Sequence, residues 1–228
     1  MPHPLDRPVW SALTTRQAAL ALGDARAVRL DPAYGPFAAA ADASPGSLCA
    51  LAALITDDHP TLALIQAEPT PAPPGTIITL RGVLHQMIAT RLTPLACSAP
   101  IVPLTEADAP DMLALATLTE PGPFAARTHQ LGDFVGVKQD GRLVAMAGER
   151  MQPDGFTELS AVCTHPEHRG RGYAGALITE VTRRILARGE TAFLHVYPGN
   201  TGAIALYETL GFTLRRPIGL TLLTGLPA

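Results

Sequence analysis

The second half of the chain carries three short runs of apolar and β-branched residues, at 134–138, 142–149 and 157–164, each long enough for one strand. Asp140-Gly141 separates the first two, and Asp154-Gly155 lies between the second and third. An Asp-Gly pair between apolar runs is a strong hairpin signal, because glycine accepts the positive φ of a tight turn. The three runs therefore predict an antiparallel meander. Beyond it the period changes. Ala174, Leu177, Ile178, Val181 and Ile185 recur at helical spacing, and Gly189 is placed to stop that helix. Residues 192–197 read as a buried strand and 218–223 as a last strand. Between them, 201–210 reads as a second helix, with Asn200 as its N-cap and Gly211 as its stop. The predicted order β-β-β-α-β-α-β is that of a mixed sheet with helices, an α/β (α+β) fold, and not of a repeating βαβ array.

The first half is punctuated more heavily. Strand candidates lie at 26–30, 61–66 and 76–80, and an Ala/Leu-rich helix candidate at 47–56. The proline run at 68–75 must be a loop, since neither a helix nor a central strand tolerates that density. Pro94, Pro100 and Pro103 mark an irregular stretch, after which Thr105 opens a capped helix running into Met112, Leu113 and Leu115. The expected division is a smaller α/β half over 1–100, on the acceptor side, and a second domain over 101–228. The first half offers no nucleophile elbow, phosphate loop or metal-ligand spacing.

Composition narrows the function classes. With 228 residues, 47% hydrophobic and 16% charged, the chain is neither disordered, collagen-like nor a coiled coil. A formal charge of -3 provides no basic footprint, so no nucleic-acid partner is expected. No apolar run approaches the ~18–20 residues that span a bilayer, and the first residues carry no secretory pattern, so no membrane partner is expected. Cys49, Cys97 and Cys163 suit a reducing, cytoplasmic location better than a disulfide framework. There is no CxxC or HExxH, and His165 with His168 lacks a third ligand in the spacing, so no metal is expected. The 17 basic residues comprise sixteen arginines and Lys138.

The chemistry concentrates at residues 169–175, Arg-Gly-Arg-Gly-Tyr-Ala-Gly, between a strand and a helix start. Unpaired N–H groups and the helix dipole make such a turn an anion site, and glycines let the backbone close on the ligand. Gly170-x-Gly172-x-x-Gly175 also matches the dinucleotide fingerprint. That fingerprint should follow the first strand of a parallel unit, with an acidic residue ~20 positions on. Here hairpin strands precede it and His195 stands at that distance, so the dinucleotide reading is set aside.

Arg169-x-x-Gly172-x-Ala174 resembles instead the (Gln/Arg)-x-x-Gly-x-(Gly/Ala) pyrophosphate loop of the GNAT acyltransferase superfamily. The resemblance extends upstream through residues 159–166, Leu-Ser-Ala-Val-Cys-Thr-His-Pro. Downstream it continues into Asn200-x-x-Ala203-x-x-x-Tyr207-x-x-x-Gly211-Phe212. It covers about 101–224, and the chain looks like GNAT enzymes in which a glycine N-acyltransferase-like C-terminal half carries the cofactor. Thr164 departs from the aliphatic residue often found there.

The resemblance implies acetyl-CoA, or another acyl-CoA, as donor. It places Val162, Cys163 and Thr164 along the pantetheine arm, with Asn200 and Ala203 beside it. It places the N–H groups of Gly170, Arg171, Gly172, Tyr173 and Ala174 on the pyrophosphate, with charge from Arg169 and Arg171. Glu158 is the expected base, with Glu149 as second candidate, and Tyr207 the expected proton donor to the leaving thiolate. Strand alternation would put Glu158, Ser160 and Val162 on one face. The implied acceptor bears an amine: a small molecule, an amino acid or a peptide. Cys163 has no visible base partner and is expected to form no covalent intermediate, and His195 reads as a satisfied core residue. The alternative is a non-catalytic acyl-CoA-binding or regulatory module of the same fold.

Overall fold

The computed structural model describes residues 3–226. Along the chain run α1 (Pro8–Leu13), β1 (Ala21–Gly23), β2 (Ala27–Leu30), β3 (Ala38–Ala40), α2 (Pro45–Ala52), β4 (Thr61–Gln66) and β5 (Thr76–Ala89). There follow β6 (Val102–Pro103), α3 (Ala109–Thr119), β7 (Phe134–Gln139), β8 (Arg142–Glu149) and β9 (Phe156–Thr164). The last elements are α4 (Tyr173–Ala187), β10 (Thr191–Val196), α5 (Thr201–Thr209) and β11 (Thr213–Gly225). The predicted order of the second half is thus the observed one, β7-β8-β9-α4-β10-α5-β11.

Two compact units divide these elements. One holds residues up to 85 with 151–154 and those from 216 onward; the other holds 86–150 and 155–215. Strands β5 and β11 each have residues in both.

In the first unit β1, β2 and β3 form an antiparallel sheet, and β4 pairs antiparallel with β11, Leu64 opposite Thr221. Leu51, Leu62 and Leu223 are wholly buried there among Ala27, Ala38 and Ala40, whose small side chains let the layers approach. Ser44 caps α2 by accepting the Ser47 N–H at 3.3 Å, with Pro45 at the first helical position. This sets the start of α2 two residues before the expected one.

In the second unit β7, β8 and β9 are the predicted meander, with β6 on the outer edge of β7. Asp140 (φ 50°) and Gly141 (φ 80°) are both left-handed, the turn that matches strand twist. β10 joins β9 in parallel, and β5 is its other neighbour. Helix α4 buries Leu177, Ile178, Val181 and Ile185 on one face of this sheet, and Met112 and Leu115 of α3 cover the other. At the predicted capped start, Thr105 and Asp108 form a capping box around one 3-10 turn that precedes α3.

Candidate functional site

The site begins where two strands part. β10 pairs with β9 only through Thr191↔Phe156, Ala192↔Thr157 and Phe193↔Glu158. Beyond Glu158 no β10 partner is present for β9 among the described residues, while its other edge stays bonded to β8. There the register slips from Gly148↔Ser160 to Met146↔Cys163, one extra residue on β9. Ala161 takes up that residue with φ 53°, a conformation that costs a side-chain-bearing residue about 1–3 kcal/mol. The bulge corrects the expected alternation. Leu159 and Val162 both pack toward α4, three positions apart, whereas Ala161 and Cys163 pack toward α3. Val162 therefore does not share the face of Glu158.

At the end of β9 the chain makes a short 3-10 turn and enters α4. Gly170 (φ 76°) and Gly172 (φ 78°) are left-handed, as the glycine spacing requires. Gly172 is the N-cap and has no capping side chain, and no acidic residue occupies the first turn. The first N–H groups of a helix have no intrahelical acceptor, so this end of α4 presents free donors and the positive end of a 15-residue dipole. Arg169 and Arg171 are exposed on the same turn. The irregular stretch at 93–100 packs here: Leu95 N–H donates to Thr179 Oγ1 at 2.9 Å, and a Cβ on Gly172 would lie 3.9 Å from Cys97.

Asn200 caps α5, accepting the Ala203 N–H at 3.3 Å as predicted. Two turns on from the cap, Tyr207 is half-buried against the α4-side core, its ring edge-on to Phe212 at 5.8 Å. Burial pushes its phenol up to about 12.

Glu158 is wholly buried. Arg150 donates to both its oxygens, Nε to Oε2 and Nη2 to Oε1, each at 2.9 Å, and His195 Nδ1 lies 2.8 Å from Oε1. Burial pushes this carboxyl up. The charge and hydrogen bonds of Arg150, then the hydrogen bond of His195, outweigh it and hold the group well below the usual carboxylate range. Glu149 differs: burial raises its carboxyl, and Arg188 opposes that from 2.8 Å. Glu149 lies opposite Leu159, on the α4 face. Sequence reasoning missed Arg150, which holds Glu158 directly, and Gln86 and Arg215, which connect to it through His195. Nothing in their spacing links them to it.

Cys163 is buried and its thiol is pushed up to about 11, which leaves little thiolate at neutral pH. His165, Glu167 and His168 bring one ligand atom each within 4.8 Å of one another, so Glu167 supplies the third group that the spacing did not show. His165 Nδ1 already accepts the Glu167 N–H at 3.3 Å, and a neutral imidazole has one ring lone pair to offer. In the first unit a cavity of about 410 Å³ is lined by Asp6, Arg7, Gln66, Thr70 and Arg216 among others. Arg216 pairs with Asp6 at 3.1 Å, and Arg7 donates to the Ala40 and Ala41 carbonyls.

Residues 134–218 match the FR47-like protein family. A solved structure of a putative acetyltransferase from the GNAT family, from Novosphingobium aromaticivorans, is 49% identical. The match covers 99% of this chain and 100% of that one, with a TM-score of 0.92. A GCN5-related N-acetyltransferase from Kribbella flavida shares the fold at 21% identity and TM-score 0.67, over 96% and 94% of the two chains. The N-alpha-acetyltransferase RimI of Mycobacterium tuberculosis is 33% identical over 101 residues, 41% of this chain; the match spans 62% of that protein's length.

Proposed function

This chain belongs to the GNAT family of acetyltransferases, and from that premise we propose that it moves an acetyl or other acyl group from acyl-CoA to an amine by direct attack on the thioester. The observation that carries the reading is the uncapped, glycine-led N-terminus of α4, directly after a strand whose edge toward β10 lies open. The pyrophosphate would bind the N–H groups of Gly170 to Ala174, with Arg169 and Arg171 adding charge. The pantetheine would pair along β9 at Val162 to Thr164, near Asn200 and Ala203.

In the reaction the amine nitrogen forms a bond to the thioester carbonyl carbon, β9 N–H groups stabilise the oxyanion, and the C–S bond then breaks. Tyr207 gives its proton to the departing thiolate and recovers one from solvent water. Of the two carboxylates expected as base, Glu149 is paired with Arg188 on the α4 face and Glu158 is clamped by Arg150. The acceptor's proton therefore leaves to solvent water.

Turnover is tested by release of free CoA from acetyl-CoA over a panel of amines, amino acids and peptides. Donor binding without CoA release from any of them would leave a binding module instead. Calorimetry should return one acyl-CoA site per chain, because residues 1–100 carry no glycine-led strand-to-helix turn. Tyr207→Phe keeps the packing on Phe212 and removes the acidic proton, so donor affinity should hold while kcat falls, on the order of 10²-fold or more. A phenol raised to about 12 stays protonated from pH 6 to 9, so the deficit should be flat across that range. A deficit that vanishes on raising the pH would remove Tyr207 as the donor.

A further inference from the structure

The groups around Glu158 form one chain of hydrogen bonds across the sheet. Arg215 Nη1 donates to Gln86 Oε1 at 2.7 Å. An arginine only donates, so this contact fixes which way the Gln86 amide faces and turns its NH₂ toward His195, whose Nε2 lies 3.1 Å away. His195 Nε2 must then accept, which puts the ring proton on Nδ1, and that proton points at Glu158 Oε1, 2.8 Å away. Glu158 is closed on its other side by the two-pronged contact from Arg150. His195 and Glu158 side chains are 3% and 1% exposed, and Gln86 is wholly buried. This polar chain crosses β9 and β10 at Phe193↔Glu158, the last pair before the strands separate.

We propose that Glu158 is a positioning residue: clamped by Arg150, it fixes His195 as the Nδ1–H tautomer and pins β9 to β10 at the mouth of their opening, and it takes no proton from the acceptor. A wholly buried carboxylate held by a guanidinium on both oxygens and an imidazole on one cannot turn toward a substrate nitrogen without breaking that clamp. What it supplies is a rigid wedge. The edge of β9 beyond Glu158 keeps its distance from β10, and the backbone groups offered to donor and oxyanion stay aimed.

The proposal rests on the acyl-transfer reading only in its kinetic arm, and the spectroscopic arm stands without it. In the full chain labelled with ¹⁵N-histidine at pH 8, His195 should show a protonated Nδ1 and a pyridine-type Nε2. The opposite tautomer would overturn the assignment whether or not the protein turns over. In kinetics, Glu158→Gln should lower kcat by up to about 10²-fold, with the same factor at pH 7 and pH 9 and little change in KM for the donor. A base would behave otherwise: its loss is relieved as pH rises and free amine accumulates, so a deficit shrinking tenfold or more from pH 7 to 9 would overturn the proposal. If Glu158→Gln does not fold, His195→Asn and His195→Phe replace it. Asn retains an N–H for Glu158 and should recover most of the turnover that Phe loses; equal loss in both would also overturn it.

Discussion

Glu158→Ala should destabilise the protein by about 3–5 kcal/mol at neutral pH, because it leaves the Arg150 guanidinium buried without its counter-charge. The Arg150 side chain is 10% exposed, so little water can replace the lost partner. The effect has a defined pH dependence. The folded carboxyl lies below its ordinary value of 4.5, so its stabilisation is complete above that value and declines as pH falls toward the folded one. Urea titrations of wild type and variant should differ most at pH 6–8 and converge in strong acid. A constant difference down to pH 2, or none at pH 7, would show that the clamp contributes no charge-dependent stability. A double change removing Arg150 as well should recover part of the loss, since an apolar pair leaves no orphaned charge.

Gly172→Val should abolish acyl-CoA binding and leave the fold intact. The introduced Cβ meets nothing nearer than Cys97 at 3.9 Å, so steric crowding inside the protein is slight. The backbone is the difficulty: φ of 78° disfavours a β-branched residue by about 1–3 kcal/mol, which the chain can absorb. The side chain would stand where a phosphate must approach the N–H groups. At 100 times its Kd a ligand stabilises a protein by about 2.7 kcal/mol, a melting shift of roughly 5–10 °C for a chain of this size. Wild type should show that shift with acetyl-CoA and the variant none, although its own melting temperature falls modestly. Equal shifts in both would place the pyrophosphate elsewhere.

Signals that act within a few residues were legible in the sequence. Asp140-Gly141, the Thr105 capping box, the Asn200 cap and Gly211 (φ 102°) each follow from local geometry and stand where they were expected. Signals set by distant partners were not. β5 runs nine residues past its predicted end, because Arg81, His85 and Gln86 interrupt the apolar pattern while Leu84, Met87 and Ala89 are buried. The bulge at Ala161 is invisible in an ordinary Leu-Ser-Ala-Val run, because it depends on the register with β8. Glu158 was visible as a carboxylate at a suggestive position. Its chemical character depends on Arg150, His195, Gln86 and Arg215, which only the folded sheet brings together.

The pairing of β4 with β11 also bears on how the protein is made. Residues 61–66 are synthesised long before their antiparallel partner at 219–224. Until then Leu62 and Leu64 lack Leu223, with which they share one core. The second unit, whose meander and following helix are local in sequence, can collapse first, while the first waits with an unpaired apolar edge. Such delayed long-range pairing is slow and leaves nascent chains open to aggregation. A chain truncated before residue 216 should therefore accumulate as a misfolded or chaperone-held species, with residues 61–66 still waiting for the strand that completes their core.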